Sequence, residues 1–280
     1  MREEKLKKGF SCRKCGGNKS KKGHLQYDIR CKTCGYNESP TAHTLFHAIK
    51  IALPTAFEMV YRVSVNKKGI SSLSLSREYD VNPKTAYNFK QKIQQSMKSS
   101  ECHLLTQMVH VDEFMYGGKE KDCQGRSNKC HKLKICIAME SIVNKQGKTT
   151  IGRAYGLSIE NFSNEELDVI FQKYICPNSE VITDKWSGYL PSKKTHNIVQ
   201  KKSDNGSNFP DIHNLIMNIK SWIRGIHHKV SKEHIQKYLN EFFFRLNRRM
   251  HMEKMPVFAL NRMIEHPPNP VKLTKGGFYG

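Results

Sequence analysis

The spacing of apolar residues changes near residue 105, and this change divides the chain into two regions. Between residues 39 and 100 apolar residues recur at helical spacing, whereas after residue 105 they alternate or run together, as in strands. The second region predicts three strands, a helix, two shorter strands and two final helices. Hairpin strands followed by alternating elements are typical of a mixed α/β sheet covered by helices. We therefore expect an α/β domain after a helical region.

The helical region contains a pattern typical of a helix-turn-helix. Residues 70–78 have the length of a short helix, and Asn82 with Pro83 favours the start of a second, because Asn caps a helix and Pro fits its first turn. Upstream, residues 39–65 also have helical spacing, with Pro54 ending one helix or beginning the next. A purely structural helix pair is the alternative. If the pair binds DNA, the first turns of the second helix offer these contacts to bases and phosphates: Lys84, Thr85, Asn88 and Lys90.

Four of the nine cysteines form two CxxC pairs, Cys12 with Cys15 and Cys31 with Cys34. Two such turns can complete a tetrahedral four-thiolate site, and the alternating segment between them is typical of a zinc ribbon. A segment this small cannot fold on its own apolar burial, so a structural Zn²⁺ is expected. The odd number of cysteines and the lack of an oxidising context give no reason to expect disulfides.

The charge balance narrows the class of partner. The chain has 47 basic and 25 acidic residues, a net charge of +22 and an isoelectric point near 9.6. Such an excess favours a polyanion, above all nucleic acid, although a generally basic surface is the alternative. No apolar run is long enough to span a membrane, and the charged N-terminus has no signal-like apolar segment. We expect an intracellular DNA-binding protein.

Two aspartates lie on strands of the predicted sheet, in the part of such sheets where ligands are usually bound. Asp112 lies within the strand VHVDEF, and Asp184 ends the buried strand VITD. If the strands are neighbours, the two carboxylates come close together, which is unfavourable unless a cation such as Mg²⁺ lies between them. Two ions can activate a water or a 3′-hydroxyl for phosphodiester chemistry. The alternative is that each aspartate only caps a loop. Glu113 points to the opposite face of the sheet.

The order of these features resembles the bacterial insertion-sequence transposases of the zinc-ribbon DDE type. The four-cysteine ribbon is followed by DEFMYGGK, by VITDKWSGY and by HHKVSKEH with YLNEFFFRLNRR, so the resemblance extends from Cys12 to about Arg249. It implies an RNase H-like core with Asp112 and Asp184 as the first two catalytic aspartates. It also implies binding of terminal inverted repeats, strand cleavage and strand transfer on Mg²⁺ or Mn²⁺, multimers on paired ends, and a place in the bacterial cytoplasm, at the nucleoid when bound to DNA.

Such cores are expected to have a third acid on the helix after the last strand, and here that helix has none between Ile212 and Lys232. Asn218 lies beside its apolar stripe, and some branches of the resembled family carry Asn at this position. An amide oxygen can bind Mg²⁺ but brings no charge. Glu241 is the competing third ligand, although it could instead pair with an arginine that follows it. Lys220 lies roughly 160° from Asn218 on a regular helix and cannot share its site.

These observations predict four regions: a zinc ribbon at 8–38, a helical DNA-binding region at 39–100, an RNase H-like core at 105–255 and a C-terminal tail at 256–280. The Pro- and Gly-rich end of this tail, 266–280, is expected to be loosely held. Basic residues of 119–134, together with Arg245, Arg248 and Arg249, are expected to contact DNA phosphates. The expected function is transposition. The alternatives are a non-catalytic sequence-specific DNA-binding protein, such as a disabled transposase, and a metal-dependent nuclease of the same fold.

Overall fold

The computed structural model describes residues 1–7, 9–118, 120, 130–202, 204, 208–227 and 229–268. The chain divides into two compact units. The N-terminal unit consists of residues 1–97 together with the described residues from Glu253 onwards, and the core unit consists of residues 98–252. None of the helices in the described ranges has the length and apolar character needed to cross a membrane.

The N-terminal unit begins with helix α1 (Arg2–Leu6) and a small antiparallel sheet. Lys5 of α1 extends its ammonium group to the Glu38 carboxylate at 2.5 Å and to the Ala42 carbonyl at 2.8 Å, which fastens the helix to the chain that leaves the sheet. The strands pair in sequence order and bring the two CxxC turns together: β1 (Ser20–Lys22), β2 (Ile29–Cys31) and β3 (Asn37–Glu38).

Three helices follow the small sheet: α2 (Leu53–Val65), α3 (Ser72–Glu78) and α4 (Pro83–Ser96). The predicted helix pair is present as α3 and α4. Asn82 acts as expected, since its amide oxygen accepts the main-chain N–H of Lys84, and the Ser71 hydroxyl caps α3 in the same way. Pro54 lies in the first turn of α2 and begins that helix. The helical spacing upstream of it was misleading, because residues 39–52 form turns.

The core unit is built on a five-stranded sheet with strand order β6-β5-β4-β7-β8. The first three strands form an antiparallel meander, and β7 and β8 add parallel to β4. This mixed sheet, flanked by helices, is the RNase H-like architecture that the sequence predicted. The strands and helices are β4 (Met108–Tyr116), β5 (Leu133–Val143), β6 (Thr149–Ile159), α5 (Asn164–Tyr174), β7 (Glu180–Thr183), β8 (Asn197–Gln200), α6 (Pro210–Ile226) and α7 (Lys232–Leu246).

The two faces of the sheet bury separate apolar clusters. One cluster packs β4 residues Val109 and Val111 against α5, and the other packs Phe114 against α6 and α7. Because successive side chains of a strand point to opposite faces, Asp112 projects on the α6 side and Glu113 on the α5 side. The sheet therefore presents the first predicted catalytic aspartate to α6.

A final helix, α8 (Met255–Glu265), returns the chain to the N-terminal unit. It packs against α1, α2 and α4, with Met255, Ala259 and Met263 buried, and the Met263 carbonyl accepts the main-chain N–H of Leu45 at 2.9 Å. The first part of the predicted C-terminal tail, up to Glu265, is therefore a packed helix. Of the segment 266–280 that was expected to be loosely held, 269–280 lie outside the described residues.

Candidate active site

Asp112 and Asp184 lie on neighbouring parallel strands. In the register of β4 and β7, Val109 pairs with Val181 and His110 with Ile182. Two residues further along, the same register places Asp184 beside Asp112. Neighbouring strands lie about 4.8 Å apart, so the backbones of the two aspartates are within reach of one ion. The sequence predicted this juxtaposition on the condition that the two strands are neighbours, and β4 and β7 are neighbours.

Both aspartates line a cavity of about 270 Å³ between β4, the end of β7 and α6. Its walls combine apolar residues of the sheet and helix with a small set of polar side chains, of which α6 supplies two. The polar residues are His110, Asp112, Glu113, Asp184, His213 and Lys220. Polar groups that converge in a cleft also lined by apolar residues are typical of a binding or catalytic site.

Main-chain amides orient both carboxylates. The Glu113 N–H donates to Asp112 Oδ1 at 2.8 Å, and the Trp186 N–H donates to Asp184 Oδ1 at 3.0 Å. The side-chain amide of Gln200, at the end of β8, donates to the carbonyls of Asp184 and Trp186 at 3.1 and 2.8 Å. The turn after β7 is thus held by its neighbouring strand, which fixes the direction of the Asp184 side chain.

His213 occupies the place where a third ligand is expected. Its Nε2 lies 3.5 Å from Asp112 Oδ2, and the side chain is 44% exposed, so it borders the cavity opening. His213, Met217 and Lys220 fall on one edge of the buried stripe of α6, because residues four and seven positions apart share a helix face. Two carboxylates and an imidazole form a plausible donor set for a divalent cation.

Lys220 brings a positive charge to the same cavity. Its ammonium group lies 5.2 Å from the centre of the Phe114 ring. Burial lowers the pKa of Lys220, the Asp112 carboxylate raises it, and the positive charges of Arg224 and Lys132 lower it again. A cation held among other cations next to a carboxylate pair is suited to an anionic substrate, which would offset the repulsion.

Asn218 does not reach the cavity. It is exposed and lies about 140° around α6 from His213, on the opposite edge of the buried stripe. The position of Asn218 does not support the prediction that it completes the aspartate site, which stays a prediction. Lys220 and Asn218 point apart, as expected, and Lys220 is the one that lines the aspartate cavity. The expectation of a carboxylate or amide ligand gave no reason to consider His213.

Glu241, the competing candidate, is fully buried on α7 and lines neither cavity. Its Oε1 lies 3.5 Å from Nη2 of Arg245, whose guanidinium lies 5.1 Å from the centre of the Trp222 ring. The sequence left this pairing open as the alternative role of Glu241, and the structure favours it. Glu241 and Arg245 both lie on α7, and Arg245 connects this pair to α6 through its contact with Trp222.

A buried hydrogen bond joins the two aspartate-bearing segments on the other face of the sheet. The Tyr189 hydroxyl donates to Glu113 Oε2, and both side chains are buried. Burial raises the pKa of Tyr189 well above its ordinary value, and the Glu113 carboxylate raises it further, so the hydroxyl keeps its proton and acts as donor. Glu113 follows Asp112, and Tyr189 belongs to the segment after Asp184. The bond therefore ties the backbones that carry the site.

A second histidine lines the cavity from β4. The His110 ring meets the Phe209 ring edge to face, with their centres 6.3 Å apart. Burial lowers the pKa of His110, and the negative charge of Asp211 opposes this effect. The neutral imidazole is therefore favoured at this position, next to the aspartate pair. The sequence analysis did not single out His110, since a histidine in an alternating strand has no distinctive spacing.

In the N-terminal unit, the predicted zinc ligands come together. Ligand atoms of Cys12, Cys15, Cys31 and Cys34 all lie within 4.8 Å of one another, with Cys12–Cys34 and Cys15–Cys31 sulfur separations of 3.6 Å. A tetrahedral site with Zn–S bonds of about 2.3 Å has sulfur–sulfur edges of about 3.8 Å. The main-chain N–H of Cys34 lowers the pKa of the Cys31 thiol to about 6, whereas hydrogen bonds with the neighbouring cysteines raise the pKa of the Cys15 thiol to about 12. The cluster thus shares protons when no metal is bound. The four cysteines fit a structural zinc.

The predicted recognition helix presents only part of its predicted surface. Lys84 is exposed, and Thr85 and Asn88 are half-buried in the first turns of α4. Lys90, in contrast, is 2% exposed, and its ammonium group donates to the Ile70 carbonyl at 2.7 Å. The prediction of Lys90 as a DNA contact is therefore wrong. Lys90 instead stabilises the loop before α3 by this buried hydrogen bond within the N-terminal unit.

The predicted arginine run is engaged within the protein. Arg245 faces Glu241, and the Arg248 guanidinium lies 4.0 Å from the centre of the Phe244 ring. Arg249 donates to the carbonyls of Gly152 at 3.1 Å and Leu246 at 2.8 Å. Of these contacts, only that of Arg249 with Gly152 reaches β6, whereas Arg245 and Arg248 contact Glu241 and Phe244 of α7. Arg249 is exposed, so a contact of this run with DNA phosphates stays a prediction.

Most of the predicted phosphate-binding segment 119–134 lies outside the described residues, which include Glu120 and 130–134. Cys130 is disulfide-bonded, although the sequence gave no reason to expect a disulfide. The described part of the segment leads into β5 and carries Lys132 and Lys134.

A comparison with known protein families identifies the core unit. The family model of the ISXO2-like transposase domain matches residues 104–247, about half of the chain and nearly the whole core unit. The core is therefore a transposase domain of the DDE type. The protein belongs to the ISXO2-like transposase family.

Among solved structures, the fold is similar to the crystal structure of the Mos1 strand transfer complex, at 11% identity and a TM-score of 0.28, over 75% of this chain and 77% of that one. Among proteins of curated function, none matches the sequence.

Proposed function

We propose that this transposase binds the terminal inverted repeats of an insertion sequence and catalyses metal-dependent DNA cleavage and strand transfer. The observation that supports this most is the pairing of Asp112 with Asp184 on adjacent parallel strands, inside a cavity that also contains His213 and Lys220. Carboxylates in this arrangement are suited to hard divalent cations such as Mg²⁺ or Mn²⁺.

The proposed mechanism assigns a separate task to each residue. Asp112 and Asp184 would hold the divalent ions, and His213 would take the third ligand position beside Asp112. When bound, such ions activate the attacking oxygen and stabilise the leaving oxygen of a phosphodiester. The amides of Glu113 and Trp186 keep the carboxylates aimed at the cavity. Lys220 supplies positive charge for the phosphate that undergoes substitution.

The N-terminal unit is the proposed reader of the transposon ends. The four-cysteine ribbon, proposed to extend over 8–38, would be held by Zn²⁺, and the helical region at 39–100 would place the start of α4 against DNA. Lys84, Thr85 and Asn88 remain the proposed contacts. The proposed catalytic core corresponds to the core unit, residues 98–252, close to the predicted 105–255. We also propose that two or more copies act on paired ends.

The test is an in vitro strand-transfer assay with the element's own ends and Mg²⁺ or Mn²⁺. Asp112→Asn and Asp184→Asn each preserve size while removing one charge, and we expect each to abolish cleavage and joining. Glu180→Gln is the matched control, because it removes an exposed acid from the same strand as Asp184 and should keep full activity. A wild type that neither cuts nor joins its own ends would contradict the proposal.

The same assay separates the alternatives. A nuclease of this fold would cut the ends but never join them, and the joined product on a target plasmid would be absent at every metal concentration. A disabled transposase would bind the ends in a gel-shift assay and yield no cut product, with Asp112→Asn indistinguishable from wild type. Joined product that depends on both aspartates is expected only of a transposase.

A further inference from the structure

A second, larger cavity of about 870 Å³ lies beside the aspartate site within the core unit. Its lining includes the end of β4, the start of β5, the second half of α6 and the start of α7. We call it the basic trough, because six of its residues are cationic and only two, Glu120 and Glu160, are acidic. The six are Lys132, Lys134, Lys220, Arg224, Lys229 and Lys232.

Two of the six cations already have partners in the protein. Lys134 is buried, and its ammonium group lies 3.4 Å from the Cys130 carbonyl. Lys232 forms an ion pair with Glu160 across the wall of the trough. The other four cations form no ion pair with any of the residues that the structure describes: Lys132, Lys220, Arg224 and Lys229. Like charges gathered without counterions are unfavourable unless an anion binds there.

The basic trough continues the aspartate site in one direction. The aspartate cavity is lined by β4 from His110 to Phe114, and the trough by β4 from Met115 to Gly118, while Lys220 of α6 lines both. From Asp112 to Gly117 the strand advances about 17 Å. At 3.4 Å per nucleotide along one strand, this distance corresponds to about five nucleotides.

We propose that the basic trough holds the sugar–phosphate backbone of the DNA strand that flanks the phosphate at the aspartate site. This inference rests on the proposed function for the identity of that strand, but the trough's affinity for DNA stands without it. The contacts are to phosphates, so they add affinity and position the strand without reading its sequence. Lys132, Arg224 and Lys229 are the principal contacts, and Lys220 lies between the trough and the reacting phosphate.

The first experiment measures the salt dependence of DNA binding by the full chain, using fluorescence anisotropy with a labelled duplex of arbitrary sequence and no added Mg²⁺. The trough variant carries Lys132→Gln, Arg224→Gln and Lys229→Gln, which keep much of each side chain. Each phosphate contact contributes about 0.9 to the slope of log K against log salt concentration. We expect the slope of the trough variant to fall by about two to three relative to wild type.

The control variant carries Lys145→Gln, Lys148→Gln and Lys193→Gln, three exposed lysines of the core unit that line neither cavity. It loses the same net charge, so its slope reports the general effect of charge alone. Equal slopes for the two variants would overturn the inference. If the triple trough variant does not fold, the single change Arg224→Gln is expected to lower the slope by about one, and an unchanged slope overturns the inference equally.

The second experiment locates the strand, using wild type in the cleavage assay with DNA shortened in steps on each side of the cut phosphate. We expect cleavage to fall when one flank drops below about five nucleotides, and the trough variant to be insensitive to this shortening. Equal losses in both proteins would show that the strand does not enter the trough. If wild type does not cut at all but the salt slopes differ as expected, the proposed function fails while DNA binding by the trough stands.

Discussion

Which edge of α6 faces β4 determines which side chain lies next to the two aspartates. The buried stripe of α6 has polar residues on both edges, with His213 and Lys220 on one and Asn218 on the other. The sequence locates the stripe correctly but contains no information on which edge turns toward β4. That choice depends on the angle at which α6 crosses the sheet, which is set by packing against β4 and α7. The structure was therefore needed to propose His213 as the third residue of the site.

If His213 binds the metal, the protein should prefer Mn²⁺ to Mg²⁺. Imidazole is a poorer ligand for Mg²⁺ than an oxygen donor and suits later metals better. We expect wild type to cleave faster with Mn²⁺ than with Mg²⁺, and His213→Glu to raise the rate in Mg²⁺ relative to Mn²⁺. Rates of strand cleavage at matched metal concentrations measure this ratio.

The matched control for His213 is Asn218→Ala on the opposite edge of α6, which should leave both rates unchanged. His213→Ala should lower activity by about 10- to 100-fold, the usual cost of a lost ligand-shell partner. Equal Mn²⁺ and Mg²⁺ ratios in wild type and His213→Glu would contradict a ligand role for His213. Inactivity of Asn218→Ala would restore the original prediction for that residue.

The Tyr189–Glu113 bond makes a prediction about stability. Tyr189→Phe removes the donor and leaves a buried carboxyl without it, a change that costs about 1–3 kcal/mol. Tyr155→Phe is the control, because the Tyr155 hydroxyl donates to the neutral His103 carbonyl at 2.8 Å; its loss should cost about 0.5–1.5 kcal/mol. Urea unfolding of both variants gives the comparison. A smaller loss for Tyr189→Phe than for Tyr155→Phe would show that the buried bond contributes little.

At the scale of elements, local sequence patterns were most informative where burial is one-sided or complete. The alternating and continuous apolar runs predicted β4 to β8 in the right order, and the cap at Asn82 predicted where α4 begins. Residues 39–52 show where such patterns fail as predictors of helices. Their apolar residues are spaced as in a helix and several are buried, but the backbone forms turns. Spacing identifies which residues are buried together, but not which backbone conformation brings them there.

Substitution of Lys84 and of Lys90 in α4 should have different effects, one on DNA binding and the other on stability. Lys84→Ala should weaken binding to all DNA sequences and lower the salt slope by about one, without changing stability. Lys90→Ala leaves the Ile70 carbonyl without its buried donor, so it should destabilise the N-terminal unit by about 1–3 kcal/mol. Anisotropy titrations and thermal unfolding of both variants test the pair. A stable Lys90→Ala variant with selectively weakened DNA binding would contradict the structural role.

At the scale of the molecule, the two units should respond separately to loss of metal. Cys31→Ser removes one of four ligands, and we expect loss of bound zinc and of hydrogen-exchange protection in β1 to β3, because the ribbon has too little apolar burial to fold without metal. Strands β4 and β5 should keep their protection. Cys102→Ser, at an exposed cysteine outside the cluster, is the control. Full protection of the ribbon in zinc-free Cys31→Ser would show that the metal is dispensable for its fold.

Because α8 follows the core unit in the sequence, the order of synthesis affects when the N-terminal unit can complete its fold. A ribosome that has completed the core unit has not yet supplied the helix on which α1, α2 and α4 pack, so the N-terminal unit acquires its full apolar core only after the core unit has been made. A chain that stops at Met252 contains every residue of the aspartate cavity but lacks the buried residues of α8 that complete the N-terminal unit. A stop codon at this point of the gene would therefore yield a protein with an intact core unit and a weakened N-terminal unit.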